Sequence, residues 1–196
     1  MLNQNFTDLG IPNRFRLNSS RSSLFDDTFP ETVRLLDAGA GKGALTTAFI
    51  AHWKARHSNG RLETWAYELD AMLLDELRAN LAAASSRNAI ETNVLYGDFI
   101  EQAATMIRLG RGKRFTHAIL NPPYKKINSA SAHRAFLRAA GLETVNLYSG
   151  FVGLAVELME VGGTIVAIIP RSFCNGPYYQ PFRNLILGCG LIKPEP

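Results

Sequence analysis

Thr116-His117-Ala118-Ile119-Leu120-Asn121-Pro122-Pro123-Tyr124 is the stretch on which the fold turns. Its apolar first half reads as a buried strand. Its two prolines offer no N–H to a sheet, so the backbone must leave the strand there along a fixed, extended path. An amide side chain and an aromatic ring are thereby held at the carboxyl edge of a sheet, where open α/β folds bind ligands. Taken alone, the stretch equally suits a rigid strand exit with no chemistry.

Working outward, strand and helix signals alternate. Upstream, Val33 to Leu36 is a short apolar strand ending at Asp37, and the turn Gly39-Ala40-Gly41-Lys42-Gly43 follows. Ala44 to His57 has helical spacing, with Leu45, Ala48, Phe49 and His52 on one face. Ser58-Asn59-Gly60 stops it. A strand over Leu62 to Leu69 ends near Glu68, and a helix over Ala71 to Ser85 carries Met72, Leu73, Leu77 and Leu81. Thr92 to Tyr96 is a third strand ending at Gly97-Asp98, followed by a helix over Phe99 to Leu109. Downstream come helices over Ser131 to Ala140 and Thr144 to Met159, the latter ended by Gly162-Gly163. An apolar strand over Thr164 to Pro170, a turn at Asn175-Gly176-Pro177 and a helix over Tyr178 to Leu187 complete the pattern. This alternation predicts an α/β fold with a doubly wound, mostly parallel sheet and right-handed crossovers. Residues 1–30 read as a polar N-terminal arm with one short helical turn, and 31–196 as one catalytic domain.

Three acids end the first three strands. The turn Gly39-x-Gly41-x-x-Ala44 fits a nucleotide-binding pattern in which small residues let the backbone approach a ligand. Lys42 is followed by Gly43 and not by a hydroxyl residue, which argues against a phosphate-binding P-loop. Asp37 before that turn suits a ligand bearing an amino group, and it equally suits capping of the turn. Glu68 can accept hydrogen bonds from ribose hydroxyls; Asp70 is better placed to cap the next helix. Asp98 can accept from an adenine amino group or cap the helix at Phe99. Convergence of these acids with Asn121 on one crevice is the stronger signal.

Composition narrows the classes. The chain has 196 residues, formal net charge +4, two cysteines and four scattered histidines. Its pI of 9.2 permits a nucleic-acid partner. Cys174 and Cys189 show no metal-type pairing, so no metal is expected and the protein is expected in the reducing cytoplasm. No apolar run is long enough for a membrane. Arg108, Arg111, Lys113 and Arg114 before the central strand, and Lys125, Lys126, Arg134 and Arg138 after it, are expected to flank the site, although each also suits a solvated surface.

The ordered set Leu35-Leu36-Asp37-Ala38-Gly39-Ala40-Gly41-Lys42-Gly43, Tyr67-Glu68, Gly97-Asp98 and Asn121-Pro122-Pro123-Tyr124 resembles that of S-adenosylmethionine-dependent methyltransferases. NPPY with Lys125-Lys126-Ile127, together with Ile169-Pro170-Arg171-Ser172-Phe173 and Asn175-Gly176-Pro177-Tyr178, resembles the adenine-specific (N6) DNA methyltransferases of restriction–modification systems. The resemblance implies a Rossmann-like methyltransferase sheet and S-adenosyl-L-methionine as cofactor. Asp37, Ala38, Gly39, Ala40 and Gly41 would hold its methionine end, Glu68 its ribose and Asp98 its adenine amino group. Asn121 and the Pro122 carbonyl would accept hydrogen bonds from the target amine, with Pro123 stiffening the segment and Asn121 also lying against the cofactor. Tyr124 would stack on a base flipped out of DNA. Lys125, Lys126 and Arg171 would contact phosphates.

Two departures accompany the resemblance. Phe6-Thr7 is followed by Asp8 where the family has a Phe-containing motif ending in Thr-Pro, so that motif is not assigned. The sequence also stops soon after the last helix, leaving no room for the usual antiparallel hairpin or a target-recognition domain. A truncated catalytic domain is therefore expected, with DNA as partner and a recognition domain or endonuclease on another chain. The alternatives are a protein glutamine or RNA methyltransferase, and a non-catalytic cofactor- or DNA-binding remnant.

Overall fold

A computed structural model describes residues 15–17, 29–56, 60–86, 89–170 and 179–189, the first three and the last three by backbone alone. Arg171, the Asn175-Gly176-Pro177 turn and the Ser58-Asn59 helix stop lie outside the described residues. The elements are β1 (Phe15–Leu17), β2 (Thr32–Ala38), α1 (Ala44–Arg56), β3 (Arg61–Glu68), a 3-10 turn (Ala71–Leu73), α2 (Leu74–Ala84), β4 (Ile90–Tyr96), α3 (Phe99–Arg108), β5 (Phe115–Leu120), α4 (Ala132–Ala139), α5 (Leu147–Glu157), β6 (Met159–Ala167) and α6 (Gln180–Cys189). The six strands form one sheet in the order β1-β6-β5-β2-β3-β4, and each strand pairing among the described residues is parallel. This is the doubly wound, Rossmann-like arrangement expected. No helix among the described residues is long and apolar enough to cross a membrane.

The period of two along each strand divides the core. On one face Leu36, Ala38, Ala118 and Leu120 pack with Phe99, Ile100, Val152 and Leu154 of α3 and α5. On the other, Val33, Leu35, Ile119 and Val166 pack with Phe49, Ile50, Trp53, Leu77 and Leu81 of α1 and α2. All six residues of β5 are buried, as a central parallel strand covered on both faces requires.

The structure adds one element and corrects three local readings. Within the N-terminal arm, Phe15–Leu17 is a strand; it pairs with β6, whose edge presents unpaired backbone groups that an extended segment satisfies. Helix α1 buries Thr46, Phe49, Ile50 and Trp53; of the expected Leu45/Ala48/Phe49/His52 stripe only Phe49 is buried. Both sets share helical spacing, and the face that carries Ile50 and Trp53 takes the core. Met72 is 88% exposed because a 3-10 turn precedes α2, which buries Leu74, Leu77 and Leu81. Strand β6 starts at Met159, not Thr164: Met159 pairs with Phe115, the register then shifts, and His117 faces Thr164. Gly162-Gly163 thus lies in a strand irregularity and does not end a helix.

Candidate active site

Strands β5, β2, β3 and β4 are parallel neighbours, so their carboxyl ends share one edge. The chain runs from β2 outward through β3 to β4, then returns to place β5 on the opposite side of β2. The crevice between β2 and β5 is therefore the topological switch point. Ala38 pairs with Leu120, so Gly39 and Asn121 sit one step beyond the same rung.

The Gly-rich turn is pinned from below. Gly39 and Ala40 N–H both donate to the Tyr67 carbonyl, at 3.0 and 2.9 Å. Gly41 has φ +57 and donates to Glu68 Oε2 at 2.7 Å. A Cβ at Gly41 would meet nothing within 4 Å, so the turn opens onto space on that side. Glu68 Oε1 accepts from Asp70 N–H at 2.7 Å. Each Glu68 oxygen thus takes one backbone N–H and keeps acceptor capacity for a ligand. Asp70 caps the 3-10 turn through Met72 N–H, the role expected for it. Ala38 and Ala40 are buried, so neither presents a side chain to a ligand.

Asp37 points to the α1 side and is buried beneath the turn. Thr46 Oγ1 donates to Asp37 Oδ2 at 2.6 Å, while Oδ1 has no hydrogen-bond partner. Burial pushes its carboxyl up to about 7, a shift that the Thr46 hydrogen bonds oppose and the Glu68 charge reinforces. The orphaned oxygen is the atom that a ligand's ammonium would satisfy, directly or through water. Thr46 was missed by sequence reasoning, and its only signal was a hydroxyl within the first turn of α1.

Asp98 both caps a helix and pairs with a side chain. Its Oδ1 accepts from Ile100 and Glu101 N–H at 2.8 and 3.2 Å, capping α3, and its Oδ2 lies 2.6 Å from His133 Nε2 on α4. His133 carried no sequence signal, because its partner is 35 residues away. Leu69, 61% exposed, stands next to Glu68 at the same edge and offers an apolar surface. Phe151 Cε1 lies 3.7 Å from a Cβ built on Gly39, and its ring packs on Phe99, whose ring packs on Tyr67.

Beyond β5, Asn121 and Tyr124 are exposed and Pro122 is buried. Tyr124 Oη donates to the Ile168 carbonyl at 2.9 Å and lies 3.3 Å from Asn121 Oδ1. The residue is 55% exposed, and its ring is edge-on to Tyr148 at 6.4 Å. The next residues are clamped by backbone hydrogen bonds: Leu147 N–H donates to the Lys125 carbonyl and Ile127 N–H to the Val145 carbonyl, both at 2.8 Å. Lys125 and Lys126 are exposed at this edge.

The other basic residues depart from expectation. Arg108 ends α3, and Arg111, Lys113 and Arg114 lead into β5, so they sit at the amino edge of the sheet, away from the crevice. There Arg34 Nε donates to the Arg114 carbonyl, and Lys113 lies 3.8 Å from the Trp65 ring centroid and 3.3 Å from Glu63. Arg134 and Arg138 are both tied to Glu143. Linear order placed both groups near the central strand; the direction of the strand separates them.

A model of the family described as Eco57I restriction-modification methylase matches residues 43–193. The chain belongs to this methylase family. The type II methyltransferase M.BsuBI of Bacillus subtilis is 49% identical over 176 residues, covering 87% of this chain and 35% of the relative. The type II methyltransferase M.PstI of Providencia stuartii is 36% identical over 190 residues, covering 92% of this chain and 37% of the relative. The chain thus spans about a third of the length of these curated relatives. Among solved structures, a candidate class I S-adenosylmethionine-dependent methyltransferase of Listeria monocytogenes superposes with TM-score 0.63 at 13% identity, covering 81% of this chain and 45% of that one. That likeness concerns the fold. Within the methylase fold, the orphaned Asp37 oxygen, the open side of Gly41 and the remaining capacity of Glu68 fit a ligand that carries an ammonium group and a ribose.

Proposed function

We propose that this chain is the catalytic part of an S-adenosylmethionine-dependent methyltransferase that modifies the exocyclic N6 of adenine in DNA. The observation that carries this reading is the placement of Asn121 beside the Gly-rich turn, one step beyond the Ala38–Leu120 rung, in a chain of the restriction-modification methylase family. When bound, the cofactor supplies an activated sulfonium methyl group, so the protein needs only to position and polarise.

The residues divide that work. Asp37 and the Gly39–Gly41 backbone hold the amino-acid end, Glu68 accepts from the ribose hydroxyls and Asp98 from the adenine amino group. Leu69 covers the ring. An exocyclic amine is a poor nucleophile because its lone pair is delocalised into the ring. Asn121 Oδ1 and the Pro122 carbonyl accept the hydrogen bonds of the target amine and favour the pyramidal geometry in which that pair is released. Held by Asp37, the Gly39–Gly41 backbone and Glu68, the cofactor would supply its methyl cation to that nitrogen pair and leave as the neutral thioether, and the amine proton would pass to water. Tyr124, anchored by its hydroxyl, stacks on the flipped base, and Lys125, Lys126 and Arg171 hold phosphates. The setting is cytoplasmic, and a target-recognition segment or an endonuclease is the protein partner.

The test offers labelled S-adenosylmethionine with adenine-containing DNA, RNA or a glutamine peptide, and measures cofactor binding by calorimetry in parallel. Label recovered as N6-methyladenine in DNA supports the reading. Label in RNA or peptide replaces the substrate. Binding without transfer leaves a cofactor-binding remnant.

A further inference from the structure

Asp98 is held from two directions, and the second has no role in the chemistry above. A carboxylate offers about four lone-pair positions. Ile100 and Glu101 N–H fill those of Oδ1. His133 Nε2 reaches Oδ2 at 2.6 Å, and since a carboxylate has no hydrogen to give, Nε2–H is the donor. One acceptor position remains, on Oδ2, which is the number an exocyclic amine needs. The pair is partly sheltered, with 36% of the His133 and 19% of the Asp98 side chain exposed. His133 lies on α4, the helix after the Asn121–Tyr124 segment, and α4 starts at a fixed point because Ser131 caps it.

We propose that His133 is a positioning residue: by occupying one side of Asp98 Oδ2 it aims the remaining lone pair at the cofactor's adenine amino group, so that ring recognition depends on the seating of α4. The inference rests on the reading of Asp98 given under the proposed function. A helix cap alone leaves Oδ2 free to turn toward water. A donor on its far side holds the carboxylate before the ligand arrives, and preorganisation of this kind raises affinity for the group being read.

The test is calorimetric titration of the whole chain with S-adenosylhomocysteine and with its 6-deamino analogue, in which purine replaces adenine. The parent should bind the adenine form roughly tenfold more tightly, the usual yield of one well-placed hydrogen bond to a charged group. His133→Phe keeps a ring of similar size but removes the donor. It should bring the ratio near one by weakening the adenine form, with the analogue's affinity unchanged. His133→Gln, which restores an N–H donor, should recover part of the ratio. A packing role alone would weaken both ligands equally. If His133→Phe loses its cooperative melt, His133→Leu carries the same comparison. A parent that discriminates beside a His133→Phe chain that discriminates equally well overturns the positioning role and leaves the Asp98 reading standing. A parent that binds both ligands equally overturns both.

Discussion

Asp37→Asn tests the burial of charge beneath the Gly-rich turn. In the parent, the Asp37 carboxyl is pushed up to about 7 by burial, with one oxygen bonded to Thr46 and the other unpartnered. An unfolded aspartate titrates near ~3.9. The folded chain therefore keeps a proton that the unfolded chain releases. The resulting stabilisation is complete below pH ~4 and is lost as pH rises through about 7. Integrated between pH 5 and pH 8, the loss is about 2.5 kcal/mol. Asparagine does not titrate, so over that interval Asp37→Asn should lose about 2.5 kcal/mol less stability than the parent. Other groups, including the buried His117, titrate alike in both chains and cancel. Urea denaturation followed by circular dichroism at several pH values measures the difference. At about pH 8, where the parent carboxyl is ionised, the same substitution should weaken S-adenosylmethionine binding by about tenfold or more, because the acceptor for its ammonium loses its charge. Parallel stability curves for parent and variant would refute the burial argument. Unchanged cofactor affinity would remove Asp37 from the site.

Asn121→Ala should lower the rate of methyl transfer by about a hundredfold or more while leaving cofactor affinity largely intact; near-normal single-turnover rates would sink its role as acceptor. Tyr124→Ala should weaken binding to DNA with a mispaired adenine by about 1–3 kcal/mol, measured by fluorescence anisotropy, and equal binding would argue against stacking. Gly43→Ala places a Cβ 2.7 Å from Leu77 Cδ1 at a position with φ +83. It should cost about 3 kcal/mol, combining left-handed strain with overpacking, and a loss below about 0.5 kcal/mol in urea would mean that the turn yields.

Much of the crevice was legible because each strand announces itself by an apolar run and each run ends at a polar or turn-forming residue. Asp37, Glu68, Asp98 and Asn121 could thus be assigned to strand ends before their distances were known. Asp98 was readable as a cap or as a ligand acceptor, and the structure shows the cap directly. The stripe on α1 was misassigned because two overlapping faces share the same helical spacing. Thr46 belongs to the face that packs on the sheet, so its bond to Asp37 became visible only with that face. The Arg34–Arg114 contact joins residues 80 apart and turns a basic cluster expected at the site into a structural tie at the opposite edge.

The sequence by itself determined what is local: the alternation of strands and helices, the Gly-rich turn, the proline-stiffened strand exit and the acids at strand ends. Backbone sterics and hydrophobic period specify these within a few residues. Only the tertiary structure decided which strands are neighbours, which edge each cation faces, and that β1 and β6 share a ladder. The same holds for the pairing of Asp37 with Thr46 and of Asp98 with His133. Those pairings depend on packing between elements distant in the chain, where burial of apolar faces sets the arrangement and polar side chains must find partners within it.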